Sequence, residues 1–292
     1  MTFTLRQTIA DARSKGCAVG HFNISNIEAF HAIYQAARKL NVPVIIGISE
    51  GERDFFGVEE AVAIVRAVRE RDKFPIFINA DHTYSFERVK QAIDAGYDAA
   101  IIDGAKVTFE ENAALVKLCV AYAQSFKGNT GRDVLIEGEL GYIGTSSKIL
   151  DKIPDGVGLD PSSLTSAVDA KKFVELTGVD LFAPAVGNVH GLVRGGNPKL
   201  NIERIREISA AAGAPLVLHG ASGISAADLK AAVGAGISIV HYNTDLRVAY
   251  RDAMKASLND HPDEVAPYRI AEPAVLAMQA VVEDKLRIMN NL

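Results

Sequence analysis

The sequence predicts a closed (β/α)8 TIM barrel in one domain, residues 1–292, with an extra helix at its C-terminal end. Two observations carry this expectation. Short β-branched runs alternate with longer amphipathic stretches eight times, at even spacing, in 292 residues, the pattern of parallel strands joined by crossover helices. No early G-x-G-x-x-G occurs, which counts against an open doubly wound sheet as the alternative. No proline-rich linker or low-complexity segment divides the chain.

The strand candidates run in order as AVGHF (18–22), VPVIIGI (42–48), FPIFIN (74–79), AAIID (99–103), DVLIEGE (133–139), DLFAPAV (180–186), PLVLHG (215–220) and ISIVHY (237–242). Between them NIEAFHAIYQAARKL, VEEAVAIVRAVRE, SFERVKQAIDAG, FEENAALVKLCVAYAQ and SAADLKAAVGAG repeat apolar residues at helical spacing. The opening MTFTLRQTIADARSKG is polar and helix-like. Two segments depart from the alternation. Residues 141–164, GYIGTSSKILDKIPDGVGLDPSSL, are too long and too rich in Gly, Ser and Asp for an ordinary connection and read as a lid over a site. Residues 269–289 add a helix after the eighth unit, suited to packing or to an oligomer arm.

Composition narrows the function classes. A net charge of -5 with no basic run interleaved with aromatics offers no field for nucleic acid or an anionic membrane surface. Cys17 and Cys119 stand far apart with no C-x-x-C partner, so neither a disulfide framework nor a cysteine metal knuckle is expected, and a reducing cytoplasm fits. The N-terminus lacks an apolar signal core, and nowhere do about 18 uninterrupted apolar residues occur. Export and membrane insertion are not expected.

Reacting groups in such a barrel gather where the C-terminal strand ends share a mouth. Five of the seven histidines, His21, His82, His190, His219 and His241, fall at or just after strand ends. One histidine in such a place is usually structural. Several converging from separate strands suit zinc, which in catalytic sites takes three protein ligands and keeps an open position. Spacing alone leaves open which three of the five would bind it. HGASG (219–223) and NTDL (243–246) place small and capping residues at helix starts after the seventh and eighth strands, where barrels commonly hold phosphate. Two ordinary tight turns are the alternative. HGLVRGGN (190–197) adds another glycine loop with Arg194, a phosphate partner or a solvated charge. Metal beside phosphate points to aldol cleavage of a phosphorylated sugar. The competing imine mechanism would need a lysine at the mouth, and Lys106 is the one near a strand end.

FNISNIEAF, ADHT, IDGA, EGELG, GNVHG, LVLHGASGI and NTDLR, in this order across the chain, resemble the class II zinc-dependent fructose-bisphosphate and tagatose-bisphosphate aldolases. The tail EPAVLAMQAVVEDKLRIM resembles the ending of the fructose-bisphosphate branch. The resemblance implies that His82, His190 and His219 ligate zinc and that Asp81 is the acid/base at the bond being broken. Asp103 and Glu139 match an alternative metal position, or else orient the histidines. Gly191, Gly220, Ala221 and Ser222 match the cradle for the dihydroxyacetone phosphate end, with a monovalent cation (Na+ or K+) nearby. Asn243 and Thr244 extend that wall, Asn23 and Ser49 line the pocket, and Arg247 matches the arginine that takes the distal phosphate. A cytoplasmic homodimer or homotetramer acting on a ketose 1,6-bisphosphate is implied, with fructose 1,6-bisphosphate as first choice.

Three departures from the family pattern bear on the substrate. His241 stands where the family usually has Asn, and Asn243 where fructose-bisphosphate enzymes usually have Asp. Strand 1 ends in His21 rather than a small residue, and because strands 1 and 8 adjoin in a closed barrel, His21 and His241 are expected side by side. They would recognise a different polar or anionic group or bind an extra metal. The lid lacks the family's Gly-Gly-Glu-Glu type segment, leaving Asp151 and Asp155 as its acids. Tagatose 1,6-bisphosphate and a sulfo-sugar 1-phosphate are alternative substrates, and a non-catalytic partner subunit is the alternative function.

Overall fold

The computed structural model describes residues 3–144, 147–157, 160 and 162–292. Among them ten strands form: β1 (Val19–Asn23), β2 (Val44–Ser49), β3 (Ile76–Thr83), β4 (Ala99–Ile102), β5 (Leu135–Leu140), β6 (Ile149–Leu150), β7 (Leu181–Pro184), β8 (Leu192–Val193), β9 (Leu216–Leu218) and β10 (Ile237–Tyr242). All but β6 and β8 close into one parallel barrel, in the order β1-β10-β9-β7-β5-β4-β3-β2. The eight expected strands are therefore the barrel strands. The short β6 and β8 pair with each other and tie the long 141–164 segment to the loop after β7; five residues of that segment, 145, 146, 158, 159 and 161, lie outside the described residues.

The barrel is filled in layers because side chains on a strand alternate between faces with period two. Its floor is apolar: Val19, Ile45, Phe77, Ala99, Leu135, Leu181, Val217 and Ile239 meet Leu5, Ile9 and Ala12 of α1 (Leu5–Ser14). This helix plugs the N-terminal end, and Arg6 fastens it with ion pairs to Asp133 and Asp180 at 2.7 and 2.8 Å. Two residues further along their strands the same face carries His21, Gly47, Asn79, Glu137, His219 and His241, with Ile101 and Ala183 completing the ring. A largely polar layer thus replaces the branched apolar one usual in such barrels.

His21 and His241 are register partners on β1 and β10. Their rings stack with centroids 3.4 Å apart and planes within 4°, so the expected adjacency is present. Gly47 makes room for this stack. A Cβ there would stand 2.0 Å from His21 Cε1. Gly47→Ala is therefore expected to destabilise the fold by about 1–3 kcal/mol, as overpacking does. In a His21→Ala background the cost should fall below about 1 kcal/mol, a coupling readable from paired urea titrations.

The strand expected over 74–79 continues through Thr83 as β3. Against β4, Ala80 pairs with Ala100 but Thr83 with Ile102, so Asp81 and His82 together oppose Ile101. His82 adopts φ +37°, a left-handed value uncommon outside glycine. Such a bulge breaks the alternation of faces, and that is how two adjacent side chains both reach the mouth. The remaining helices surround the barrel, and α11 (Pro267–Asn290) packs through Ala274, Met278, Val282 and Leu286 against the body of its own chain.

Candidate active site

Each of His82, His190 and His219 has one ring nitrogen fastened. Nδ1 of His82 lies 3.0 Å from Asp103 Oδ2, Nδ1 of His190 2.7 Å from the Gly144 carbonyl, and Nε2 of His219 2.7 Å from Glu137 Oε1. Hydrogen bonding of one nitrogen fixes the ring and leaves the other as a donor atom for metal. The free nitrogens of His82 and His219 are 3.2 Å apart, and the three residues present ligand atoms that all lie within 4.8 Å of one another. His82, Asp103 and Glu139 form a second such group. In this structure Asp103 orients His82, whereas the buried Glu139 Oε2 has no partner.

The electrostatics fit a divalent cation. Burial opposes protonation of His82, but the Asp81, Asp103 and Glu139 carboxylates outweigh it and raise its pKa to about 10. Burial likewise opposes, and the Glu137 hydrogen bond overcomes it, to raise His219. His190 goes the other way, lowered to about 3 by burial and by His82 and His219. Glu139 is pushed up to about 7 by burial and by Asp103. The carboxylates thus favour positive charge at His82 and His219. Three nitrogen donors beside unpaired buried carboxylate oxygens are a donor set that a cation would satisfy better.

Asp81 is buried beside this cluster. Its Oδ2 accepts from Asn23 Nδ2 at 2.9 Å, and its Oδ1 lies 4.0 Å from His82 Nε2 and 3.3 Å from His241 Nδ1, without the alignment of a hydrogen bond. Burial opposes its ionisation, yet the neighbouring His82 holds its pKa well below the usual carboxylate range. His241 rests against His219 with centroids 4.0 Å apart. Neither of its ring nitrogens has a partner, and burial and His21 lower its pKa.

An anion cradle lies across the cavity. Gly220 has φ +63°, and a Cβ there would meet the Val189 carbonyl oxygen at 2.4 Å, so only glycine fits this turn. Asn197 donates to the carbonyls of Gly191 and Ser222, at 3.0 and 2.8 Å, and joins the two glycine loops. The N-cap Asn243 of α10 (Thr244–Asp260) makes no side-chain cap bond; the Asp245 N–H donates to Ser222 Oγ at 3.1 Å, which leaves the N–H groups of Thr244 and Leu246 for an anion.

One cavity of about 520 Å³ gathers most of the residues expected from the sequence. Asn23, Ser49, Asp81, His82, Asp103, His190, Gly191, His219, Gly220, Ser222, His241, Asn243, Thr244 and Arg247 all line it. Glu139 stands behind His82, with Oε2 3.8 Å from its Nδ1. Ala221 is wholly buried, its N–H donating to the His241 carbonyl at 3.2 Å. Arg194 is not in the cavity wall. It pairs with Asp151 at 2.8 Å on the surface, because the β6–β8 pairing turns both outward. Asp155, the other lid acid, pairs with Lys152 at 2.8 Å and is equally exposed. Lys106 is exposed and is not among the residues lining the cavity, so the lysine named for the imine alternative is not at the site; Lys148, from the 141–164 segment, is the lysine that lines the cavity.

Two residues that shape the site are absent from the sequence expectations. Glu137 lies two residues before Glu139 in LIEGEL, and that spacing on a strand puts both carboxylates on one face. Glu52 lies three residues after Ser49, the S-x-x-E signature of a capping box at a helix start, here that of α3 (Glu50–Phe56).

Comparison with known proteins agrees with the barrel. The family model described as fructose-bisphosphate aldolase class-II matches residues 3–292. The chain is 36% identical over 288 residues to a fructose-bisphosphate aldolase of Staphylococcus epidermidis, covering 97% of this chain and 96% of that one. It is 35% identical to a Staphylococcus aureus counterpart with the same coverage. Among solved structures, the YdjI aldolase of Escherichia coli K12 superposes with a TM-score of 0.81 at 28% identity, over 99% of this chain and 97% of that one. From its residues, its barrel and these likenesses together, the chain belongs to the class II fructose-bisphosphate aldolase family, whose members are carbon–carbon lyases.

Proposed function

We propose that the protein is a zinc-dependent aldolase that reversibly cleaves a ketose 1-phosphate or 1,6-bisphosphate to dihydroxyacetone phosphate and an aldehyde. The observation that carries this reading is the convergence of three fastened imidazoles, one from each of three barrel sectors, beside a buried oxygen of Asp81 that has no hydrogen-bond partner. His82, His190 and His219 would hold the zinc, which when bound acts as a Lewis acid for the charge that develops on the substrate's carbonyl oxygen.

The chain's own groups account for the rest. The Gly191, Gly220 and Ser222 loops with the α10 N-terminus receive the phosphate and fix the ketose end. Asp81 takes the proton from the hydroxyl next to the scissile bond. The carbon–carbon electron pair then moves toward the ketone carbon and the aldehyde departs; the new carbanionic carbon takes a proton from solvent, and Asp81 returns its proton to solvent. Asn23 steadies Asp81 through their 2.9 Å hydrogen bond. The names of the staphylococcal relatives make fructose 1,6-bisphosphate the first substrate to try.

A coupled assay for triose phosphate release tests the reading over fructose and tagatose phosphates and a sulfo-sugar 1-phosphate. Activity should vanish on chelation and return with zinc. Cleavage of none of these substrates would refute the aldolase assignment, and activity indifferent to chelator would refute the metal.

A further inference from the structure

Glu52 is buried, and its carboxylate is saturated with donors. Oε2 accepts from Asn23 Nδ2 at 2.9 Å and from the Ser49 N–H and hydroxyl at 2.8 Å each. Oε1 accepts from Arg247 Nη2 at 2.6 Å. A capping box accounts for the two Ser49 bonds. It does not account for Asn23 on β1 or Arg247 on α10, which reach Glu52 across 29 and 195 residues of sequence.

Asn23, Ser49 and Arg247, joined through Glu52, line one part of the same cavity. An amide, a hydroxyl, a backbone N–H and a guanidinium converging on one point are the chemistry of an oxyanion site, and here the chain's own carboxylate fills it. Glu50, on the same first turn of α3, also lines the cavity. A phosphate brought there would find Asn23 Nδ2, the Ser49 donors and Arg247 Nη2 engaged and would face two acids from one helix turn, one of them buried where charge repulsion is weakly screened; Lys148 is the other cationic side chain lining the cavity.

We infer that Glu52 acts as a built-in counter-anion which excludes a distal phosphate, so that the substrate is a ketose 1-monophosphate whose aldehyde half is uncharged. The inference rests on the aldolase reading above and narrows its substrate class. It also excludes a sulfonate at the far end, since that group is an anion too.

The test uses the zinc-loaded protein and matched pairs: fructose 1-phosphate against fructose 1,6-bisphosphate, and the two tagatose counterparts. In the synthetic direction dihydroxyacetone phosphate is offered glyceraldehyde or glyceraldehyde 3-phosphate. The wild-type kcat/KM should favour the member without the distal phosphate by about 100-fold, the scale expected of like charges brought together. Glu52→Ala, which frees Arg247, Asn23 and Ser49, should move the ratio toward the bisphosphate by at least about tenfold. Glu52→Gln, which keeps shape and capping, should move it in the same direction should the alanine variant fail to fold. A wild-type protein that cleaves the bisphosphate as well as or better than the monophosphate would overturn the inference and leave the aldolase reading intact. Cleavage of no pair would overturn both.

Discussion

Asp81→Ala is expected to lose about 10²- to 10⁴-fold in kcat, the usual contribution of a positioned acid or base, while retaining its metal. The residue is buried, is held through one oxygen by Asn23, and keeps its other oxygen unbonded beside the histidine cluster. That arrangement holds a proton acceptor in one orientation without consuming it in the scaffold. Asp81→Asn should fall nearly as far, because it keeps the shape and loses the basic oxygen. Steady-state kinetics paired with zinc content measured by atomic absorption check the prediction. Loss of zinc along with activity would instead make Asp81 a ligand.

His82→Ala is expected to cut activity by about 10³-fold or more, since removing the Lewis acid forfeits several kcal/mol of transition-state stabilisation. Of the four groups of close ligand atoms among the described residues, His21 with Asp81 and His241, and Glu137 with His219 and His241, lack His82; it belongs to the other two, with His190 and His219 and with Asp103 and Glu139. Its loss therefore leaves neither intact. Glu137→Gln should behave as a graded case. It weakens the grip on the His219 ring and should lower zinc affinity by about 10- to 100-fold, the usual effect of losing an orienting partner. Competition with a chromophoric chelator reads both variants, and equal zinc affinity in wild type and His82→Ala would remove His82 from the metal site.

The barrel was legible because its signal is local. Eight β-branched runs and their amphipathic partners need no knowledge of the rest of the chain, and the observed strands fall on those runs to within a few residues. The adjacency of His21 and His241 was legible for a related reason: closure makes the first and last strands neighbours, and their register follows. What stayed hidden depends on long-range pairing. The β6–β8 contact involves two residues on each side, too few for periodicity to register, and it is what turns Arg194 toward Asp151. The bulge at Asp81 and His82 shows only in the register against β4. Glu52 carries a readable capping signal, but nothing within α3 reveals that Asn23 and Arg247 converge on it.

The space above Gly47 also constrains the order in which this interior could have been assembled. An imidazole at position 21 fits only after position 47 has given up its side chain, since even a methyl group there would overlap the ring. A route of single replacements in which the glycine precedes the histidine avoids that overlap, and once the ring is in place any larger residue at position 47 carries the packing cost. Position 47 thus biases the history of the pocket, though it touches no substrate.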